Sequence, residues 1–272
     1  RTKAMACIGI SIGAAFSIAF ILGPLLYAYI GIKGLFYLSA CLSILAIITL
    51  LTIVPSPTKK MRNVNPPNLR DIKSVLVNTS LIKLDISIFS SHLILMANFV
   101  AIPITLRDSM QLPAISHWQV YLTAIFASLF IMVPFIMFGE RLKKENLFLI
   151  LSILLIMLSQ IGLALFGLSL NFIIIFLILF FGAFNYLEAL LPSKVSKTTQ
   201  KNTKGTALGV YSTSQFIGIF IGGLAGGFFY QQFGLISVHL FCLFITFLWL
   251  LLMLFFSKNE NLGKNELEEE AV

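Results

Sequence analysis

Polar side chains are scarce inside the long apolar runs of this sequence, and a few of them have the types that proton or solute handling requires. They lie in two of the runs and are Ser87, Ser91, His92 and Asn98, then Asn185 and Glu188. An imidazole and a carboxylate can each take up and release a proton, whereas hydroxyl and amide groups can bind a polar solute. If the runs span a membrane, ionisable groups inside them are costly and indicate function by default. We therefore interpret this set as a candidate substrate cavity or proton-coupling site, with Glu188 as the coupling carboxylate.

The same residues also have a structural interpretation. Ser87, Ser91 and Asn98 fall within about 40° of one another around a helix, so they could bond to adjacent helices while His92 packs in neutral form. Glu188 could form an ion pair with Arg141 or with a loop lysine. Both interpretations stay open on the sequence alone. Tyr211, Ser214 and Gln215 could also face the same vestibule as Glu188.

The elements that must position these residues are apolar helices. The chain has 272 residues, of which 58% are hydrophobic and 11% charged, whereas a soluble domain carries about 25% charged residues. The charges lie in clusters between the apolar runs, which predicts an all-α membrane protein. The eight predicted spans cover residues 4–30, 35–54, 84–106, 118–138, 147–166, 172–191, 207–230 and 235–256.

The placement of positive charge predicts the topology. Of the 19 lysines and arginines, only Lys33 and Arg107 fall on one side of the predicted spans. The populated side is therefore cytoplasmic, which puts both ends of the chain in the cytoplasm and the protein in the cytoplasmic (inner) membrane as a multi-pass chain. The net charge of +8 belongs to these loops. They lack interleaved aromatic residues, so the lipid bilayer, and not nucleic acid, is the expected partner.

Two polar segments frame the later spans. Residues 55–83 are predicted to be a cytoplasmic linker, whose prolines and basic residues precede a short amphipathic helix on the membrane surface, with Asn68 as its N-cap and Ile82 on its apolar face. Residues 257–272 form an acidic cytoplasmic tail.

A stripe of small residues reveals an internal repeat. Gly218, Gly222 and Gly226 lie along one side of a helix, which predicts close helix packing. With an offset of 203 residues, Ala19 aligns with Gly222 and Gly23 with Gly226. Because that offset contains six spans, it predicts a 6+6 bundle. Residues 1–54 are then the last two helices of the N-terminal half and residues 84–256 the C-terminal half, with four helices expected before residue 1.

Three stretches resemble the major facilitator superfamily of secondary transporters. Ala19-Phe-Ile-Leu-Gly-Pro24 resembles the superfamily's Gly-Pro motif in the fifth helix, with Ala19 in place of its first glycine, and the opening residues 1–6 resemble the loop before it. Residues 185–197, followed by residues 205–215, look like the YajR-type branch. The resemblance implies that this chain holds helices 5–12 of 12, and that Ala19, Gly23 and Pro24 form a helix-packing motif. It also implies that the spans carrying His92 and Glu188 line the central cavity.

The resemblance implies a secondary active transporter of small molecules, with proton-coupled export by alternating access and a monomer when full length. Protons are the expected coupling ion, without another cofactor, and we expect residues 1–272 alone not to transport. The alternative is a membrane sensor or assembly protein that uses the same fold without flux. The sequence has no HExxH, GxSxG or phosphate-loop motif and no metal-ligand spacing, so we predict neither an enzyme nor a metal site.

Overall fold

The computed structural model describes residues 2–54, 69–200 and 202–269, and these residues are almost entirely helical. A single 3-10 turn, Ala114–Ser116, precedes α4. The helices are α1 (Thr2–Thr52), α2 (Leu69–Val77), α3 (Thr79–Asp108), α4 (His117–Arg141), α5 (Glu145–Phe166), α6 (Leu170–Thr198), α7 (Lys204–Phe233) and α8 (Leu235–Glu269).

Among the described residues, seven helical segments are long and apolar enough to cross a bilayer. They are Ile21–Thr52 of α1, α4 with the turn before it, the first part of α8, and the whole of α3, α5, α6 and α7. The predicted all-α membrane fold is confirmed. The predicted count of eight spans is not, because both of the first two predicted spans fall within α1.

Helix α1 contains one break, and it lies between those two predicted spans. Gly31 has φ 63° and ψ −178°. Gly234, at the junction of α7 and α8, has φ 81° and ψ −175°. Glycine adopts such positive φ values without strain, whereas a residue with a side chain does not. The two positions are 203 residues apart, which is the offset of the repeat. Gly31 and Gly234 therefore correspond to each other in the repeat, and they have nearly the same backbone conformation.

The chain forms two compact units, and the second contains α2, α3, most of α4 and α5–α8. Within this unit α3 is the central helix, packed on α7, α8 and α6, while α5 packs on α6 and α8. Its core includes Ile88, Leu93 and Ala101, which are at most 1% exposed. Large apolar side chains such as Phe130 and Phe220 point outward, 84% and 70% exposed, as the lipid-facing surface of a membrane bundle requires.

The glycine stripe of α7 lies directly against the backbone of α3. A Cβ atom built on Gly218 would lie 2.3 Å from the carbonyl oxygen of Phe89, and one on Gly222 would lie 2.1 Å from that of Leu93. A Cβ atom on Gly226 would lie 2.8 Å from the Cα atom of Ala97. Without side chains on these three residues, the two helices approach to backbone contact.

The corresponding positions of α1 differ. Ala19 is exposed and Pro24 lies inside the helix. A Cβ atom on Gly23 would meet no atom within 4 Å in the part of the chain that the structure describes. No close contact at this motif is therefore seen among those residues.

The end of the predicted linker is helical. Residues 55–68, which include its prolines, its basic cluster and the predicted cap Asn68, lie outside the described residues. Helix α2 ends at Val77, and the Oδ1 atom of Asn78 accepts hydrogen bonds from the backbone N–H groups of Ser80 and Leu81 at 3.0 and 3.3 Å. This N-cap begins α3 at Thr79, so Ile82 belongs to α3 and not to the surface helix. At the other end, α8 continues as far as Glu269, through most of the segment predicted as an acidic tail.

Candidate functional site

A buried polar cluster lies where α3, α6 and α7 meet. Helix α3 contributes His92, α6 contributes Glu188 and α7 contributes Gln215. The backbone contact between α3 and α7 brings His92 and Gln215 into reach of each other, because Leu93, the next residue after His92, lies against Gly222. The cluster therefore joins residues 123 positions apart in sequence.

The hydrogen bonds of His92 define its tautomer. Its Nε2 atom lies 2.8 Å from the side-chain nitrogen of Gln215, and its Nδ1 atom lies 3.2 Å from the carbonyl oxygen of Ile88. With the Gln215 amide in this orientation, its nitrogen donates and Nε2 is assigned as the acceptor. The carbonyl oxygen can only accept, so the proton is assigned to Nδ1. His92 is thus a neutral imidazole that is bonded at both nitrogens, with the Ser91 hydroxyl 3.4 Å from Nδ1.

Glu188 approaches the same imidazole nitrogen from another side. Its Oε1 atom lies 3.6 Å from His92 Nε2, beyond hydrogen-bond length, and has no hydrogen-bond partner among the described residues. Its side chain is 37% exposed, so one end of the carboxylate is accessible while the other faces the cluster. Phe184, one helical turn earlier on α6, packs against the His92 ring with centroids 5.2 Å apart.

The structural interpretation of Glu188 does not fit this arrangement. Within the described ranges Glu188 makes no ion pair with Arg141 or with a loop lysine, and the basic group that lies within 4 Å of it is His92. A carboxylate oxygen buried without a partner is unfavourable unless it carries a proton or a ligand supplies a donor. Among the described residues, Glu188 is therefore not held in either of the ion pairs that the structural interpretation expects.

The other predicted site residues do not all join this cluster. Ser91 lies beside His92, but the Ser87 hydroxyl faces α8, where it accepts a hydrogen bond of 3.1 Å from the Nε1 atom of Trp249. The Nδ2 atom of Asn185 donates to the Ser128 hydroxyl of α4 at 3.2 Å. Ser87 and Asn185 thus hold neighbouring helices together, as the structural interpretation expects for the serine.

Asn98 is the predicted residue with the least explained environment. Its side chain is 1% exposed, and neither its oxygen nor its nitrogen has a hydrogen-bond partner among the residues that the structure describes. A buried amide in this state costs free energy comparable to lost hydrogen bonds. It lies about 9 Å along α3 from His92, at 1.5 Å per residue.

One polar pair escaped the sequence interpretation. His239 of α8 and Gln160 of α5 are 1% and 0% exposed, and His239 Nδ1 lies 3.1 Å from Gln160 Oε1. Both residues lie within predicted spans, so their polarity was a signal that could have been used. Within the described residues no group of three His, Cys, Asp or Glu side chains gathers as metal ligands would.

Apolar helices of membrane-spanning length around an inward-facing polar cluster define a multi-pass membrane protein. The chain belongs to the Major Facilitator Superfamily, whose family model matches residues 1–188 and also residues 84–271.

Three relatives refine this membership. The chain is 38% identical to the inner membrane transport protein YajR of Escherichia coli (strain K12), over 92% of this chain and 55% of the relative. It is 35% identical to the uncharacterized transporter BU466 of Buchnera aphidicola subsp. Acyrthosiphon pisum, over 82% of this chain and 57% of that relative. Identity to an uncharacterized transporter of Buchnera aphidicola subsp. Baizongia pistaciae is 30%, over 92% and 64% respectively.

These relatives confirm the resemblance to the superfamily and to YajR. The chain spans between 55% and 64% of the length of the three relatives. All of them are named transporters, and the superfamily consists of transporters and not enzymes, so the prediction that this chain is not an enzyme is confirmed.

Proposed function

We propose that this chain belongs to a proton-coupled secondary transporter that exports small molecules by alternating access. In this proposal α1 counts as two spans on either side of Gly31, which gives eight spans of a 6+6 bundle, with both ends cytoplasmic in the inner membrane. The shared backbone conformation of Gly31 and Gly234 supports the repeat on which that count depends. The export direction and the antiport mode rest on the resemblance of the Ala19–Pro24 motif to that of antiporters.

The observation that carries the proposal is the position of His92 between two competing partners. In the neutral imidazole Nε2 accepts from the Gln215 amide. When His92 binds a proton, both ring nitrogens become donors, so Gln215 must either turn its amide oxygen towards Nε2 or give up this bond. The Glu188 carboxylate, 3.6 Å away, is then the better acceptor, and the pair becomes charge-assisted.

This exchange of partners couples a proton to helix contacts. Gln215 lies on α7 and Glu188 on α6, so protonation moves the preferred bond of α3 from one neighbouring helix to the other. Loss of the proton to either side of the membrane restores the first bond. A ligand can shift such an equilibrium only by its differential affinity for the two states. We assign that role to a substrate that reaches the buried amide of Asn98.

The proposal is tested with the complete protein in proteoliposomes that enclose a pH-sensitive dye, challenged with a panel of small polar and cationic compounds. Glu188→Gln is expected to lower substrate-driven proton movement at least tenfold, because an amide cannot carry the proton. Exchange of labelled substrate without net proton movement is expected to persist. Glu140→Gln, the same change at an exposed carboxylate at the end of α4, serves as the matched control.

The alternative function predicts the opposite result. If Glu188→Gln and His92→Ala leave every proton-linked flux unchanged in correctly folded protein, the coupling site is refuted. If the wild-type protein also moves none of the compounds, the fold serves as a sensor or an assembly protein.

A further inference from the structure

The backbone contact between α3 and α7 follows one line of residues on each helix. Phe89 meets Gly218 and, four residues later on both helices, Leu93 meets Gly222. The two helices therefore run parallel here, and residues four apart stay on the facing sides. The same line continues toward the beginnings of both helices, at the end of the bundle that the sequence predicts to be cytoplasmic.

One turn in that direction, the line changes from small to polar residues. Four residues before Phe89 lies Asp85 on α3, and four residues before Gly218 lies Ser214 on α7. Both are partly exposed, whereas Gly218 is buried. The glycine-mediated contact therefore ends at this level, and a carboxylate lies where it ends.

A phenol connects this carboxylate with the His92 cluster. Tyr211 is 6% exposed and lies one helical turn before Gln215, the residue of α7 that bonds to His92. The charges of Asp85 and Glu188 both act on the Tyr211 hydroxyl. A phenol can accept one proton while it donates another. Tyr211 is therefore within electrostatic reach of two carboxylates, one in the cluster and one at the end of the helix contact.

The surroundings of Asp85 provide no fixed partner for its charge. Asp85 has no hydrogen bond or ion pair among the described residues. Lys83 is two residues away on another side of α3 and lines the space beside Glu145. The charged or titratable groups of the helices nearby are Glu188 of α6, Tyr211 of α7 and, on α2, Arg70, Asp71 and Lys73. The carboxylate of Asp85 can thus take up and release a proton without breaking an ion pair.

We infer that Asp85 exchanges protons between the pair of His92 and Glu188 and the solution at the predicted cytoplasmic end. This inference rests on the proposed function, because it gives the proton of that cycle a way out. The proton leaves the Glu188 carboxyl group for the Tyr211 hydroxyl, directly or through water, while the phenol gives its own proton to the Asp85 carboxylate. Asp85 then releases the proton to bulk water, and Tyr211 and Asp85 are back in their starting forms.

The test follows the proton without a substrate. The complete protein in nanodiscs receives a rapid jump from acidic to neutral pH, and time-resolved infrared spectroscopy records the carbonyl band of the protonated Glu188 carboxyl group. The band is assigned by its absence in Glu188→Gln. We expect Asp85→Asn to slow the loss of this band at least tenfold. Asp108→Asn, the same change at an exposed carboxylate at the other end of α3, should stay within about twofold of the wild type.

Two further variants and a rescue separate proton transfer from a structural role. Asp85→Glu keeps a carboxylate and should stay within a few-fold of the wild-type rate. Tyr211→Phe removes only the hydroxyl and should slow the loss of the band several-fold. Formate is a small weak acid that can carry protons in place of a missing carboxylate, so it should restore most of the rate in Asp85→Asn. A negative charge near the beginning of α3 also favours the helix itself, but a role of that kind would not respond to formate.

The outcomes distinguish this inference from the function on which it rests. If the wild type shows no band that Glu188→Gln removes, Glu188 does not carry a proton, and the proposed coupling site fails together with the inference. If the band is present but Asp85→Asn loses it at the wild-type rate, Asp85 is not the exchange residue and the coupling site stands. A slowed Asp85→Asn that formate does not accelerate leads to the same conclusion.

Discussion

The contact between α3 and α7 gives the sharpest prediction, because it can be tested with one added methyl group. Gly222→Ala places a Cβ atom 2.1 Å from the carbonyl oxygen of Leu93. Gly223→Ala, the next residue on the same helix, places it where no atom lies within 4 Å among the described residues. The two variants have the same composition and the same helix propensity, so their difference isolates the packing of α7 on α3.

The magnitude follows from the distance. Ordinary contact begins at 3.4 Å, so the Leu93 carbonyl and α7 must separate by about 1.3 Å, the difference between 3.4 and 2.1 Å. The obstacle is backbone and cannot turn aside as a flexible side chain could. Overpacking of this kind costs about 1–3 kcal/mol, while alanine is favoured over glycine inside a helix by about 1 kcal/mol. Because the propensity gain is the same in both variants, we expect Gly222→Ala to be less stable than Gly223→Ala by the overpacking cost alone, about 1–3 kcal/mol.

The assay is equilibrium unfolding of the complete protein in a fixed detergent, with both variants and the wild type measured in parallel. Proton-linked flux is expected to fall in Gly222→Ala as well, because separation of α3 from α7 lengthens the bond between His92 and Gln215. A Gly222→Ala protein as stable as Gly223→Ala would refute the backbone contact and the argument that it positions His92.

Three further predictions test other parts of the fold. Asn78→Ala removes the side-chain oxygen that caps α3, so the free energy of unfolding should fall by about 1 kcal/mol. Asn78→Asp keeps a capping oxygen and should therefore retain most of the wild-type stability. Gln160→Leu leaves the Nδ1 atom of buried His239 unpaired, so the free energy of unfolding should fall by about 1–3 kcal/mol. The double variant with His239→Leu should recover part of this loss. If the effects of the two single changes are strictly additive in the double variant, the hydrogen bond between these residues is contradicted. Gly31→Ala and Gly234→Ala should each cost about 1–3 kcal/mol, because positive φ with extended ψ is essentially restricted to glycine. This cost is expected although the added Cβ atoms meet open space among the described residues. Unfolding midpoints equal to the wild type would show that these backbone angles are not held.

The sequence was sufficient for those features that depend on period and composition. The spacing of Gly218, Gly222 and Gly226 predicted a closely packed helix, because a one-turn repeat of small residues leaves one side of a helix bare. The offset of 203 residues was likewise readable from the sequence, but the matching backbone angles of Gly31 and Gly234 at that offset were seen only in the structure. Apolar run lengths predicted the spanning helices because bilayer thickness sets their length.

What the sequence did not reveal is which helices are neighbours. His92 and Glu188 were identified as candidates, but their meeting at one imidazole nitrogen, with Gln215 as the competing partner, depends on the lateral arrangement of α3, α6 and α7. Ser87 shares a predicted polar face with Ser91, yet it bonds to Trp249 of α8. Helical period gives the direction of a side chain but not the helix that it meets. The beginning of α3 was predicted too late for a different reason. Residues 79–83 were assigned to the preceding surface helix, whereas that helix ends at Val77 and Asn78 caps α3.

The backbone contact at Gly222 also has a mechanical meaning. The 2.8 Å bond between His92 and Gln215 connects two helices that are in backbone contact, without side chains between them at the glycines. We therefore expect its length to change little. The 3.6 Å gap between His92 and Glu188 lies between helices that side chains separate, among them the ring of Phe184. We expect the α3–α6 contact to yield more easily than the α3–α7 contact. In the proposed transport cycle, distances measured between probes on α3 and α6 should change, whereas those between probes on α3 and α7 should stay nearly constant.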